Sequence, residues 1–99
     1  MTVIRDIFDA LCRIAPLELQ MSYDNAGFQI GHADREVRRV LLALDATDAV
    51  VEEAEMLGAE LIVTHHPLLF SPLRSLTDLD PTQKRVLTLA EKGIGLISM

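Results

Sequence analysis

The sequence has little of what defines several common protein classes. Its 99 residues contain one cysteine, Cys12, so no disulfide can form within the chain. The longest unbroken apolar run, Val40–Leu44, is far shorter than the ~20 residues of a membrane span. Only 9 Lys and Arg stand against 15 Asp and Glu, which disfavours non-specific nucleic-acid binding because that binding needs cations to meet phosphates. The first residues also lack the pattern of a signal peptide. We therefore expect a cytoplasmic protein with neither a membrane nor a nucleic-acid partner.

The composition favours one globular domain. Hydrophobic residues make up 49% of the chain, which excludes intrinsic disorder. The length suits a single domain, residues 1–99. A chain this short buries only about 60–65% of its extended surface, so we expect a thin stability margin.

The first third predicts a helix, a loop and a short strand. Apolar residues recur at helical spacing from Val3 to Ile14, with Thr2 as the expected N-cap. The helix should stop at Ala15-Pro16, because proline disfavours a helical conformation in the residue before it. A loop to Gly27 and an edge strand over residues 28–30 are expected to follow.

The remainder alternates strands and helices. Val40–Leu44 predicts a strand buried on both faces, residues 61–64 a second, and residues 94–97 a third that leaves a hydrophobic edge prone to pairing. Between them, caps predict two helices, one from Thr47 or Asp48 to Gly58 and one from Asp80-Pro81 to Gly93. The expected buried faces are Val50, Val51, Ala54 and Leu57 in the first helix and Val86, Leu87 and Ala90 in the second. This β-α-β-α-β order predicts an α/β fold, with an open, mostly parallel, layered sheet and an N-terminal helix.

The candidate functional residues lie where the predicted parallel strands end. Ligands of open parallel sheets bind beyond the carboxyl ends of the strands. Asp45 follows the first of these strands, His65 and His66 follow the second, and Ser98-Met99 follow the third. Two histidines and a carboxylate from separate parts of the sequence are therefore expected at one edge.

The His65-His66 pair is the strongest signal, because neutral imidazole is the commonest metal-binding side chain. Neighbours on a strand point to opposite sides, so the two rings rarely bind one ion together. At a strand end followed by Pro67, each could face a different ion of a pair, whose ions lie ~3.5–4 Å apart. The alternative is that one histidine is hydrogen-bonded in the core and the other faces solvent.

The other polar residues have mainly structural interpretations. Asp45 is expected to orient a histidine or to cap a helix rather than to bind metal directly. Thr47 and Thr64 are interpreted as structural hydroxyls, Cys12 as a core residue and His32 as a surface residue. Two further features are set aside. Gly93-Ile94-Gly95 runs from helix to strand, opposite to a dinucleotide-binding turn, and the cluster Glu52, Glu53 and Glu55 is interpreted as a solvated helix face.

Three stretches resemble a known family. Leu44–Thr47 with Gly58–Phe70, which contains Thr64-His65-His66-Pro67, is similar to the GTP cyclohydrolase I type 2 homologues, a group of dinuclear-metal proteins. Tyr23–Gly31 also resembles that family's Trp-Asp-Asn-Val-Gly-Leu-Gln-Val-Gly stretch, with Tyr in place of Trp. The similarity extends over essentially the whole chain.

The resemblance implies a site with two divalent metal ions, such as zinc, manganese or iron. His65 and His66 match the first two family ligands, one for each ion. The family's remaining ligands, an Asp in a His-Thr-Asn-Leu-Asp stretch and a later His and Glu, have no match in this sequence. The resemblance thus implies the N-terminal part of a longer protein, and the 99 residues alone are expected to be inactive.

The resemblance implies two alternative functions. One is a metal-dependent hydrolase acting on a small, nucleotide-like substrate when the protein has its full length. The alternative is a non-catalytic metal-binding regulatory or scaffold protein. Homo-oligomers are implied in both cases.

Overall fold

The computed structural model describes residues 1–14, 27–69 and 71–99, which form three helices and one four-stranded sheet. In chain order the elements are α1 (Ile4–Ile14), β1 (Gly27–Ile30), β2 (Val40–Ala43), α2 (Asp48–Leu57), β3 (Leu61–Thr64), α3 (Pro81–Glu91) and β4 (Gly95–Ser98). The mixed α/β class is confirmed. The predicted helix stop at Ala15-Pro16 and all but the last residue of the loop predicted to Gly27 lie outside the described residues, and Gly27 itself begins β1.

The sheet is mostly parallel, with the strand order β1-β4-β3-β2. β2 pairs with β3 from Val40↔Leu61 onward, and β3 pairs with β4 from Leu61↔Gly95 onward, both in parallel. β1 is antiparallel to β4, with a register shift between Phe28 and Ile30. β1 is therefore an edge strand, as its short sequence predicts.

The expectation that the last strand forms an edge is wrong. All four residues of β4 are buried, because β3 pairs with one side of this strand and β1 with the other. Local sequence does not reveal that a strand more than sixty positions earlier (residues 27–30) returns to cover it.

The expectation that β2 is buried on both faces is also wrong. Val40, Leu42 and Leu44 point to one face and are 40%, 74% and 68% exposed. α1 covers this face only over the neighbouring strands, where Ile4 packs with Leu61 and Ile97. β2 lies at the sheet edge beyond that cover.

The opposite face of the sheet carries the larger core, beneath α2 and α3. Its buried members include Val51 and Ala54 from α2, Val86 and Leu89 from α3, and Leu96 from β4. Two ion pairs join the helices above it, Asp48–Arg85 and Glu55–Lys92, each at 2.7 Å. The hydrogen bond and the positive charge of Arg85 lower the pKa of the Asp48 carboxyl.

The predicted helix faces are partly correct. Val51, Ala54 and Val86 are buried, whereas Leu57 and Ala90 are exposed and Leu89, which was not predicted, is fully buried. In both cases the helix is rotated slightly from the face that local apolar spacing suggests, because the packing partner decides which stripe is covered.

The caps of α2 and α3 match the prediction. The Thr47 side chain accepts from the Val50 N–H and that of Asp80 from the Gln83 N–H, while Gly58 ends α2 at φ +70°. Gly93 likewise lies at φ +69° just after α3. The N-cap expected at Thr2 is wrong, since α1 begins at Ile4 and the Asp6 carboxylate instead accepts from the Val3 N–H.

Gly93-Ile94-Gly95 was rejected as a dinucleotide-binding turn, and the structure gives a packing reason for the glycine at position 95. A Cβ at this position would lie 2.6 Å from Ile4 Cδ1 and 3.3 Å from the Ile30 carbonyl oxygen. The missing side chain therefore lets α1 and β1 approach β4 closely. Within the described ranges, no helix combines the length and hydropathy needed to cross a bilayer.

Candidate metal centre

His65 and His66 directly follow β3, at the carboxyl edge of the parallel strands. The His65 N–H donates to the Ala43 carbonyl at 3.3 Å and the His66 N–H to that of Leu44 at 2.9 Å. These bonds hold the residues just after β3 against the end of β2, although the regular strand pairing stops at Thr64. The backbone that carries both histidines is therefore held by the sheet.

The two imidazoles lie side by side and both are exposed. Their ring centroids are 4.9 Å apart and the ring planes are inclined by 49°. The alternative in which one histidine is buried in the core is thus wrong for these residues. The chain bends at His65 and His66, so the two side chains do not follow the alternation by which an extended strand would direct them to opposite faces.

Asp45, at the end of β2, reaches His66 as the sequence predicted for an orienting carboxylate. Its Oδ1 lies 2.9 Å from His66 Nδ1. With Asp45 ionised and the ring neutral, this contact needs the proton on Nδ1 and leaves the lone pair at Nε2. The hydrogen bond therefore favours the tautomer in which Nε2 is the nitrogen that can bind a metal.

Two buried hydroxyl groups form hydrogen bonds with the backbone of the two histidines. Thr64 Oγ1 donates to the His66 carbonyl at 2.7 Å, and Ser98 Oγ donates to the His65 carbonyl at 3.4 Å. Both residues are at most 2% exposed. Thr64 is therefore a structural hydroxyl, as expected, and Ser98 has a similar role rather than a place among exposed candidate ligands.

Gln29 of β1 contacts the chain just after the histidines, a role that the sequence analysis missed. Its Oε1 accepts from the N–H groups of Leu68 and Leu69, and its Nε2 donates to the Leu69 carbonyl, each at 3.1 Å. A glutamine between two apolar residues of an edge strand is easily interpreted as a solvent-facing position. Only the tertiary structure brings it to residues some 40 positions later.

The remaining candidates lie apart from the histidine pair. Cys12 in α1 is only partly buried, so it is not the core residue that was expected, whereas His32 is exposed after β1 as predicted. Glu52, Glu53 and Glu55 are exposed on α2, with Glu55 paired to Lys92.

The donor set at the edge consists of two imidazoles supported by one carboxylate. Within residues 1–14, 27–69 and 71–99, no three His, Cys, Asp or Glu side chains converge in a way that could hold a metal ion. The chemistry of the pair is that of metal ligands, because two exposed imidazoles project from one short segment, and Asp45 holds one of them, His66. It does not amount to a complete coordination sphere.

These features define a class, the mixed α/β proteins with a histidine pair at the carboxyl edge of a mostly parallel sheet. The family model for Duf34/NIF3 (NGG1p interacting factor 3) matches residues 2–99. The chain belongs to this family.

Curated relatives and solved structures agree with that assignment. A GTP cyclohydrolase 1 type 2 homolog from Clostridium perfringens (strain 13 / Type A) is 38% identical over 95 residues, covering 96% of this chain and 36% of that protein. GTP cyclohydrolase 1 type 2 from Helicobacter pylori (strain J99) is 34% identical, covering all of this chain and 40% of its own length. The crystal structure of Staphylococcus aureus protein SA1388 matches with a TM-score of 0.93 and 38% identity, covering 99% of this chain and 32% of that one. The chain thus spans about a third of the length of these relatives.

Proposed function

We propose that this chain supplies two ligands of a dinuclear metal site, with His65 binding one divalent ion and His66 the other. The observation that carries the proposal is the pair of exposed imidazoles, 4.9 Å apart at the sheet edge. Imidazole nitrogen suits zinc and iron, whereas manganese prefers oxygen ligands and would depend more on the remaining ligands. The other ligands would come from outside the described residues.

Each of the surrounding groups has a part in this proposal. Asp45 holds His66 through Nδ1, which directs Nε2 toward an ion and makes the ring a stronger donor. The buried hydroxyls of Thr64 and Ser98 hold the carbonyls of the two histidines, which fixes their backbone. A pair of bound ions would supply Lewis-acid activation of water.

The proposed activity of the whole protein is metal-dependent hydrolysis of a small, nucleotide-like substrate. Its support is the site chemistry and the names of relatives such as the Helicobacter pylori GTP cyclohydrolase 1 type 2. A homo-oligomeric assembly is part of the same proposal. Fold alone does not establish a reaction, so the substrate class depends on those names.

A second candidate is a non-catalytic metal-binding regulatory or scaffold protein. The description of the matching family, an interacting factor, favours this function. The two candidates differ in whether the ions keep an open, water-occupied coordination position, which catalytic sites retain and structural sites lack.

Calorimetric titration of the 99-residue chain with Zn²⁺ or Mn²⁺ tests the metal site. We expect binding in the micromolar range or weaker, because two histidines form an incomplete coordination sphere. His65→Ala and His66→Ala should each weaken that binding, whereas His32→Ala, a matched exposed histidine, should leave it unchanged. Equal affinity in all four proteins would overturn the assignment of the ligands.

Assay of a whole-length protein carrying this segment tests the reaction. We expect metal-dependent turnover of a nucleotide or phosphoester, lost in His65→Ala. Metal binding without turnover of any tested substrate would reject the hydrolase and favour the regulatory protein.

A further inference from the structure

We propose that Gln29 is a positioning residue for the histidine pair, an inference that rests on the proposed metal site. It acts on residues 65–69, which we call the histidine segment. Gln29 lies on β1, at the sheet edge opposite to β2, so the segment is tied to both edges of the sheet.

The first end of the histidine segment is anchored to β2. The N–H groups of His65 and His66 donate to the carbonyls of Ala43 and Leu44. From there the chain continues through Pro67, whose ring fixes its own φ angle at about −65°. Few backbone rotations then separate the imidazoles from the next anchor.

The second end is anchored by the Gln29 amide. Three hydrogen bonds of 3.1 Å join one side chain to two consecutive residues, Leu68 and Leu69. Both leucines also pack against the core beneath α2 and α3. The apolar packing holds the two side chains against the core, while the directional hydrogen bonds determine where their backbone lies along the sheet edge.

Glutamine is chemically suited to this position. Two N–H groups need an acceptor and one carbonyl needs a donor, and a single carboxamide offers both. Glutamate has the same shape but no N–H, so it would keep the two acceptor contacts and place negative charge beside the Leu69 carbonyl. Leucine would keep the approximate bulk and remove all three bonds.

Gln83 provides a matched control within the chain. Its Oε1 on α3 accepts from Ser75 Oγ and from the Thr77 N–H, in another loop. Gln83→Leu therefore makes the same chemical exchange and releases a segment without the histidines. If Gln29→Leu affects the histidines and Gln83→Leu does not, the effect comes from positioning of the histidine segment and not from a general loosening of the loops.

The test measures the metal-free 99-residue chain by NMR and then titrates it with Zn²⁺. In Gln29→Leu we expect amide exchange at Leu68 and Leu69 to accelerate at least about ten-fold, and the nuclear Overhauser effect between the His65 and His66 ring protons to weaken. Zn²⁺ affinity should fall about ten-fold, as for other groups that orient metal ligands. Gln29→Glu should retain part of the amide protection, and Gln83→Leu should match the wild type in all three measurements.

The outcomes distinguish this inference from the function on which it rests. If the wild type binds no Zn²⁺, the metal site fails, while exchange and ring contact in the metal-free chain still decide the role of Gln29. Unchanged ring contact in Gln29→Leu, whether or not exchange accelerates, would overturn positioning. An equal loss of ring contact in Gln83→Leu would overturn it as well.

Discussion

β2 and β4 are similar apolar strands of one mostly parallel sheet, yet their surroundings are opposite. Every residue of β4 is buried, whereas β2 alternates between exposed and half-buried positions. Sequence reasoning assigned them the other way round, with β2 in the interior and β4 at the edge. β4 differs by having strand neighbours on both sides.

The comparison shows what an apolar run encodes. It determines that a segment forms a strand, because a branched apolar segment gains most from a pleated, buried surface. It does not determine the strand's place in the sheet, which depends on partners elsewhere in the chain. β1 decides the matter here by pairing with β4 rather than with β2.

The sharpest test of this comparison is Ile97→Ala in β4. Ile97 is fully buried with Ile4, Val37 and Leu61, so the exchange removes apolar contacts and leaves a cavity. We expect the free energy of unfolding to fall by about 2–5 kcal/mol, measured by urea denaturation. Such a loss is a large fraction of the roughly 5–15 kcal/mol by which folded domains are stable. A change below about 1 kcal/mol would mean that β4 is not the interior strand.

The fold was predictable where local signals act alone. Thr47, Gly58 and Asp80 set helix boundaries through backbone groups within a few residues, and the structure confirms them. The order of the strands in the sheet and the rotation of the helices were not predictable, because they depend on contacts between distant segments. Leu89 illustrates this, since its burial in the core follows from the position of α3 against the sheet.

A second prediction concerns how closely α1 and β4 approach. Gly95→Ala should destabilise the chain by about 1–3 kcal/mol, because the added Cβ overlaps Ile4 Cδ1. Ile4→Val removes that methyl group, so the double variant should be more stable than the sum of the two single changes predicts. Thermal unfolding of all four proteins measures the coupling. Strict additivity would show that Ile4 does not limit the space at Gly95.

The candidate site was predictable from one topological rule. The carboxyl ends of parallel strands meet at one edge, which brought Asp45 and His66 together from sequence positions 21 residues apart. Gln29 was not predictable in this way, because it comes from the antiparallel strand to which the rule does not apply.

A smaller effect is expected at Glu60, which lies just before β3. Its carboxylate accepts from Arg38 and Arg39, the two residues just before β2. Partial burial raises the pKa of its carboxyl, but hydrogen bonds from the N–H groups of Arg38 and Arg39 outweigh this, and the net pKa lies below its usual value. A lowered folded pKa stabilises the protein above the usual pKa, and this contribution is lost as the pH falls through the folded value.

Glu60→Gln should therefore cost about 0.5–1 kcal/mol near neutral pH, because solvent reaches the group and weakens its hydrogen bonds. The difference from the wild type should shrink as the pH falls below about 4.5, the usual pKa of this carboxyl. Urea denaturation at several pH values measures it. A difference that does not vary with pH would show that the carboxylate charge has no part in holding residues 38 and 39.

The smallest effect is expected for Leu42→Thr on β2, which completes the comparison of the two strands. Leu42 is 74% exposed, so replacing it with another branched residue of good strand propensity should change the free energy of unfolding by less than about 0.5 kcal/mol. The same exchange at the fully buried Leu96 of β4 should cost at least about 2 kcal/mol, because a hydroxyl replaces packed methyl groups. Chemical denaturation of both variants, at a protein concentration low enough to prevent association, gives the contrast. If Leu42→Thr lost as much as Leu96→Thr, the Leu42 side chain would be buried in solution, and the exposed face assigned to β2 would be wrong.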